Sequence, residues 1–394
     1  MIKRILQAFS LILASLFCAL PAPAETASGD ETSLLCLNIG KADCMLLTHQ
    51  DHHFLIDAGY AHTWPALRTA LSQAGITRLD GVFLTHCHED HDGALLALAE
   101  SGIAVDAWYA SPFSIEVEDM SRHPAVLAAA RRGQDVVWLS PGTTVSAGEN
   151  AVFTVLGPLR LNTENENSNS LVMTFSCSRG SILLTGDMKE DEAADLMAAG
   201  LFSPCDLLKV SHHGDNKTLS KAILAAIRPK AAVILTDTRQ EPDTPAPSVL
   251  KMLTQAGCQT VVSQDVHDAV RFTLTDKTID IEDVRWDGIP ERTAALQMSV
   301  STKDDTVTIR NTGSASVSLK DYVLFSTKGN ETLTLSDAEL PPGGLRVIGS
   351  LSTKGSADQT WPDKKIWNKK KRDVAILYDN WGRPVAFADN GITD

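Results

Sequence analysis

The stretch from Leu84 to Gly93 reads LTHCHEDHDG and carries the pattern His-x-His-x-Asp-His directly after the apolar run Gly81-Val82-Phe83-Leu84. On an extended segment, side chains two apart point to one side, so His86 and His88 converge on a single cation. Asp90 and His91 follow where the chain turns into a predicted helix from Gly93 to Glu100, and they face a second cation close by. The chemistry implied is that of two divalent cations sharing a water. The bland alternative, a solvated histidine-rich turn, does not account for this many ligand-type residues at this spacing after a strand. Cys87 lies between two of the proposed ligands, where alternation turns it away from the metals.

Further candidates also sit at the ends of apolar runs. Ile182-Leu183-Leu184-Thr185-Gly186-Asp187 is a predicted strand ending in a carboxylate, beside a Gly that lets the backbone come close. Asp187 there suits a ligand bridging two cations; its rival role is the N-cap of a helix from Lys189 to Ala198. A second apolar strand, Asp206 to Val210, ends in Ser211-His212-His213-Gly214. That pair supplies at least one more ligand, with its neighbour free to hydrogen-bond a leaving group or orient a carboxylate. The polar loop between Val152 and Ser176 reads as a solvated hairpin tip. Its last residues, Asn169 and Ser170, enter the next strand and offer an amide and a hydroxyl to a phosphate or a water, or stand behind the metal ligands.

The elements that must position these residues alternate between short strands and helices. Three apolar strands open the series, the third ending at Asp57 and Gly59. Helices are predicted over Trp64–Gly75, His123–Arg132, Leu219–Ile227 and Ser248–Ala256. Strands are predicted over Ile103–Tyr109, Val136–Leu139 and Ala231–Thr236, and the series closes near Asp283. A chain of 394 residues exceeds one ordinary core, so two domains are expected, 25–290 and 291–394. Residues 1–24 carry Lys3 and Arg4, an apolar run from Ile5 to Leu20 and Ala22-Pro23-Ala24, the form of a secretory signal. The expected setting is therefore periplasmic or secreted, with no membrane span after cleavage. Lys and Arg number 19 against 37 Asp and Glu in residues 25–291, but 14 against 12 in residues 292–394. The acidic body does not draw nucleic acid over long range. Six cysteines follow residue 24, without zinc-finger spacing.

Taken in order, His86, His88, Asp90, His91, Asp187 and His212-His213 resemble the metallo-β-lactamase superfamily. Within it they are most similar to the hydrolase domain of ComEC-type competence proteins, which take up DNA. Asn38-Ile39-Gly40-Lys41-Ala42-Asp43 resembles that group's opening motif, and LIDAG, NSNSLVM, LLTGD and LLKVSHHG resemble its later motifs. The resemblance covers about residues 33–282. It implies an α/β fold, the four-layer αββα sandwich, with two divalent metal ions at the sheet edge, zinc or alternatively manganese. It implies His86, His88, Asp90, His91, Asp187 and one or both of His212 and His213 as metal ligands, with Asp57 behind them. Asp90 and His213 are the expected catalytic residues. One departure is Ala246, which stands where relatives place a histidine before a proline.

Residues 298–390 are rich in short β-runs and resemble the lamin-tail domain, an immunoglobulin-like all-β sandwich. Lys364, Lys365, Lys369, Lys370, Lys371 and Arg372 cluster there beside Trp361 and Trp367. They read either as a site for nucleic acid or an anionic surface polymer, with aromatic stacking, or as a solvated loop with a core tryptophan. The expected function is an exported phosphodiesterase or nuclease. The alternatives are a hydrolase of a lactone, β-lactam or phosphocholine ester, and a catalytically weakened surface-binding protein.

Overall fold

The computed structural model describes residues 31–292 and 295–393; the signal-like stretch at residues 1–24 lies outside the described residues. Two sheets stack face to face. The first runs in the order Ile279–Val284, Ala269–Leu274, Thr32–Leu37, Cys44–His49, His52–Ala58, Gly81–Leu84, Trp108–Ala110, Val136–Trp138. Its strands pair antiparallel as far as His52–Ala58 and parallel beyond it. The second runs Gln259–Val262, Ala231–Ile234, Leu207–Lys209, Gly180–Leu184, Val172–Cys177, Val152–Gly157, Thr144–Ser146. Here the first four strands are parallel and the rest antiparallel.

Both faces of the central strands are covered, which is why they read as continuous apolar runs rather than alternating ones. Leu34, Phe54 and Phe83 of the first sheet meet Phe153 and Phe175 of the second in the layer between them. The Phe153 ring centroid lies 5.0 Å from that of Phe54 and 4.7 Å from that of Phe83. On the outer faces, Leu55, Val82 and Trp108 pack under the helices Trp64–Gln73, Leu95–Glu100 and Pro124–Arg131. Leu183, Leu208 and Ile234 pack under Glu190–Ala198, Lys221–Ile227 and Pro247–Gln255. Three of these helices start on a proline in the first turn, where its missing N–H is not needed. The result is the helix–sheet–sheet–helix sandwich.

Two predicted elements are corrected. Ile103–Tyr109 is two short strands: Ala104–Val105 pairs with Arg78–Leu79 in a separate ribbon, and Trp108–Ala110 joins the main sheet. The helix expected from Gly93 begins at Leu95, after a separate turn over Glu89–Asp92. Gly93 packs so tightly that an added Cβ would lie 2.5 Å from the Ala61 nitrogen.

From Leu296 onward the chain is all β. The strands Leu296–Ser301, Thr306–Asn311, Leu345–Gly349 and Gln359–Thr360 form one sheet. Glu331–Thr334, Val323–Ser326, Val374–Tyr378 and Pro384–Asp389 form the other. Val307, Ile309, Leu324 and Leu377 fill the space between them, together with Trp361 and Trp367. Those two indoles are 1% and 3% exposed. The expected aromatic stacking faces are therefore core, because the apolar rings stabilise the sandwich more when removed from water.

The strand Val374–Tyr378 is buried on both faces. Ala375 and Leu377 point into their own sandwich, while Val374, Ile376 and Tyr378, with Phe325, join the core of the first sheet and its helices. Period-two alternation produces this division, and each such side chain withdrawn from water contributes about 1.5–3 kcal/mol. Polar contacts close the seam: Arg383 donates to Asp268 Oδ1 at 3.1 Å, and Arg372 donates to the Gln240 carbonyl at 2.9 Å. Arg372, expected in the polymer-binding set, is thus engaged between the two sandwiches, whereas the five lysines beside it are exposed. Among the described residues no helix is long and apolar enough to cross a membrane, and the six cysteines are free thiols.

Candidate metal centre

Four strands deliver the candidate residues at their carboxyl ends, the edge where open α/β sheets bind ligands. Asp57 lies at the end of His52–Ala58, Thr85 to His91 follow Gly81–Leu84, Asp187 follows Gly180–Leu184, and His212 and His213 follow Leu207–Lys209. Both histidines of the last pair adopt left-handed backbone, φ 45° and 55°. That conformation costs roughly 1–2 kcal/mol per non-glycine residue, and such strain collects at functional sites.

His91 and His213 are wholly buried. His91 Nδ1 is 2.8 Å from Asp57 Oδ2, and Asp57 itself accepts from the Thr85 N–H and hydroxyl, both at 2.8 Å. His213 Nδ1 donates to the Leu235 carbonyl at 2.7 Å. In its neutral form each ring thereby keeps its proton on Nδ1 and turns the Nε2 lone pair inward, where a cation takes the place of a second proton. His91 Nε2 lies 3.2 Å from Asp187 Oδ2, and His213 Nε2 lies 3.3 Å from both Asp187 Oδ2 and Asp90 Oδ2. Neither Nε2 has a hydrogen-bond partner. Lone pairs facing carboxylate oxygens in a buried site need positive charge among them, so the donor set fits divalent cations. His86 Nε2 approaches His88 Nδ1 to 3.0 Å and Asp187 Oδ2 to 4.0 Å. Two overlapping groups bring ligand atoms within 4.8 Å of one another, Asp43–His91–His213 and His86–His91–Asp187.

Charge supports the same fit. Asp43, Asp57 and Asp187 are at most 1% exposed, and Asp90 stands beside them. Against these four carboxylates stand two ammonium groups. Lys209, fully buried, pairs with Asp43, reaches Asp187 Oδ1 at 3.4 Å and donates to the Gly186 carbonyl at 2.9 Å. Lys41 Nζ lies 3.6 Å from Asp90. A net deficit of positive charge remains while the imidazoles are neutral. Burial opposes the charged form of His91, but Asp187, Asp57, Asp43 and Asp90 outweigh it and hold the ring well above its usual range. Burial likewise opposes ionised Asp187, yet His213, His91 and Lys209 hold it well below the usual carboxylate range. Burial and the neighbouring His91 push His86 well down.

The histidine pair is divided. His213 lies inside the cluster, whereas His212 sits at its edge with a 19% exposed side chain, Nε2 3.9 Å from Asp187 Oδ2. Its Nδ1 faces Asp215 Oδ2 at 3.0 Å and Lys189 Nζ at 3.2 Å, and Nε2 faces Asn167 Nδ2 at 3.2 Å. Asn169 and Ser170 are fully buried. The Asn169 amide is spent on Asn162 and Glu166 inside its own loop, and the Ser170 hydroxyl accepts from the Asp187 N–H at 2.9 Å. The cap of the helix after Asp187 falls on Lys189, so Asp187 is not its N-cap. Ala246 packs its side chain into the apolar layer under Pro247–Gln255, and its N–H donates to the Gly214 carbonyl at 2.8 Å. Lys209 joins the site without having been a candidate, although a lone lysine in the apolar run Leu207-Leu208-Lys209-Val210 is a signal that a buried partner exists.

The sequence profile described as "Metallo-beta-lactamase superfamily" matches residues 37–238. "ComE operon protein 3" of Bacillus subtilis (strain 168) is 26% identical over 260 residues, 61% of this chain and 33% of that protein. "Competence protein ComA" of Neisseria gonorrhoeae is 24% identical over 254 residues, 64% of this chain and 33% of that protein. The chain thus spans about a third of the length of these relatives. Among solved structures, the metallo-beta-lactamase fold protein YhfI from Bacillus subtilis aligns over 61% of this chain and 99% of its own, with 12% identity and a TM-score of 0.39.

Proposed function

This chain belongs to the metallo-beta-lactamase superfamily, and from that premise we propose that it hydrolyses a phosphodiester at a two-metal centre. The observation that carries the reading is the pair of buried, partnerless Nε2 atoms of His91 and His213 trained on Asp187. His86, His88, Asp90, His91, Asp187 and His213 would hold the cations, with Asp43 beside them. Zinc suits so many imidazoles, and manganese is the alternative. When bound, the ions supply Lewis acidity, acidifying a water and neutralising phosphoryl oxygens.

The chain's own groups do the rest. Asp57 and the Leu235 carbonyl fix the tautomers of His91 and His213. Asp90, kept ionised by Lys41, His91 and His213 against the effect of burial, accepts the proton of the attacking water. His212, held by Asp215, meets the leaving oxygen from the exposed edge, a role placed on it rather than on enclosed His213. Likeness to competence proteins, the DNA-uptake group the motifs resemble, favours a phosphodiester. One observation favours a second reading, a phosphocholine ester: Glu89 and Glu116 line the cleft beside His88 and Asp90, where a substrate's cationic group would be welcome. The exposed lysines 364, 365, 369, 370 and 371 are proposed to meet an anionic polymer by charge alone. An exported setting, periplasmic or secreted, rests on the composition of residues 1–24.

The test is a panel of bis-nitrophenyl phosphate, linear DNA, a phosphocholine ester, a β-lactam and a lactone, each assayed with zinc or manganese. Turnover confined to the lactam or lactone defeats the phosphodiester reading.

A further inference from the structure

The cleft beside His88 and Asp90, about 270 Å³, is built from both sandwiches. Tyr60, Glu89, Asp92 and Glu116 come from the first, and Asn330 comes from the second. Asn330 closes the turn between the strands Val323–Ser326 and Glu331–Thr334; it is exposed and left-handed, φ 56°. Asparagine adopts that conformation more readily than most residues, so the turn presents an amide at the mouth of the cleft without a large backbone cost.

The turn is fixed in place. The Lys328 N–H donates to Asp373 Oδ1 at 3.2 Å and the Thr327 N–H to the Val374 carbonyl at 3.1 Å. Phe325, next to the turn, packs on Tyr60 and His62 of the first sandwich, with ring centroids 5.1 and 4.9 Å apart. Tyr378, on the strand paired with Val323–Ser326, packs against Gly40, where an added Cβ would lie 2.9 Å from its oxygen. That glycine precedes Lys41, whose N–H donates to Gln240 Oε1 at 2.9 Å and whose ammonium faces Asp90.

We infer that the second sandwich is a wall of the hydrolytic site and that Asn330 is a specificity-determining residue, hydrogen-bonding the part of the substrate that projects past His88 and Asp90. This rests on the hydrolase reading above. Asn330 lines the same cleft as Glu89 and Glu116, so a charge placed there changes the local field seen by an anionic substrate.

The full-length, metal-loaded protein and its Asn330→Gly and Asn330→Lys variants are compared with bis-nitrophenyl phosphate. Glycine keeps the left-handed turn and removes the amide; lysine inserts a cation. The expected result is KM raised about threefold in N330G and lowered about threefold in N330K, with kcat, metal content and melting temperature unchanged. KM unchanged in both variants of an active enzyme overturns this inference alone. A wild-type protein that turns over no substrate of the panel overturns the hydrolase reading, and this inference with it.

Discussion

Asp57 Oδ2 lies 2.8 Å from His91 Nδ1, and because Asp57 is itself held by Thr85, the imidazole has one orientation and one tautomer. Replacing Asp57 with Asn leaves a group that can donate to Nδ1 and so release the proton to Nε2, the nitrogen turned toward Asp187. Metal affinity is expected to fall about 10- to 100-fold, measured by chelator competition. Unaltered affinity would show that the pair does not set the tautomer.

Lys209 answers to Asp43 and Asp187 from within the protein. Lys209→Met removes the ammonium and leaves buried carboxylates uncompensated. A loss of about 3–5 kcal/mol is expected in urea unfolding with chelator present, and part of it should return when zinc or manganese is added, because the cations take over the compensation. Equal stability of variant and wild type without metal would contradict this.

His62 stands at the seam between the sandwiches, its ring 4.3 Å from that of Tyr378, and its Nε2 is buried without a partner. Burial lowers its pKa to about 3. An unfolded histidine titrates near 6.5, so the unfolded chain binds the proton first as pH falls. The stability from keeping His62 neutral is complete above about pH 6.5 and is lost between there and pH 3, with a slope of up to about 1.4 kcal/mol per pH unit. His62→Phe should flatten that part of the stability–pH curve; an unchanged slope would exclude His62 as its source.

Removing residues 292–394 uncovers the apolar surface that Phe325, Val374, Ile376 and Tyr378 cover. The remaining chain is expected to melt lower and to aggregate, by light scattering. In the full chain, Tyr378→Ala is expected to cost about 3–5 kcal/mol, as for other large buried aromatics. A truncated chain with the parent's melting temperature and solubility would mean that the seam contributes no stability.

Much of this site was legible because its chemistry sits at strand ends, where an apolar run stops at a histidine or aspartate. The pairing of Lys209 with Asp43 was not, since it joins residues distant in sequence through the fold of two sheets. That Asn169 turns back into its own loop while Ser170 supports Asp187 was not legible, since the short turn Glu166–Asn169 sets those directions and a polar composition does not reveal them. The docking of the second sandwich had a sign in the unbroken run Val374-Ala375-Ile376-Leu377-Tyr378. A strand with one wet face alternates, and this one does not. Trp361 and Trp367, next to a lysine-rich loop, suggested surface stacking; the empty space between the two small sheets claimed them instead.

The most direct test of the metal centre is Asp187→Ala, because that carboxylate faces His86, His91 and His213 at once. Wild-type protein is expected to bind about two equivalents of zinc or manganese and to hydrolyse bis-nitrophenyl phosphate. The variant should lose at least one equivalent and its turnover should fall at least about 100-fold. Full metal content and undiminished turnover in the variant would contradict the account.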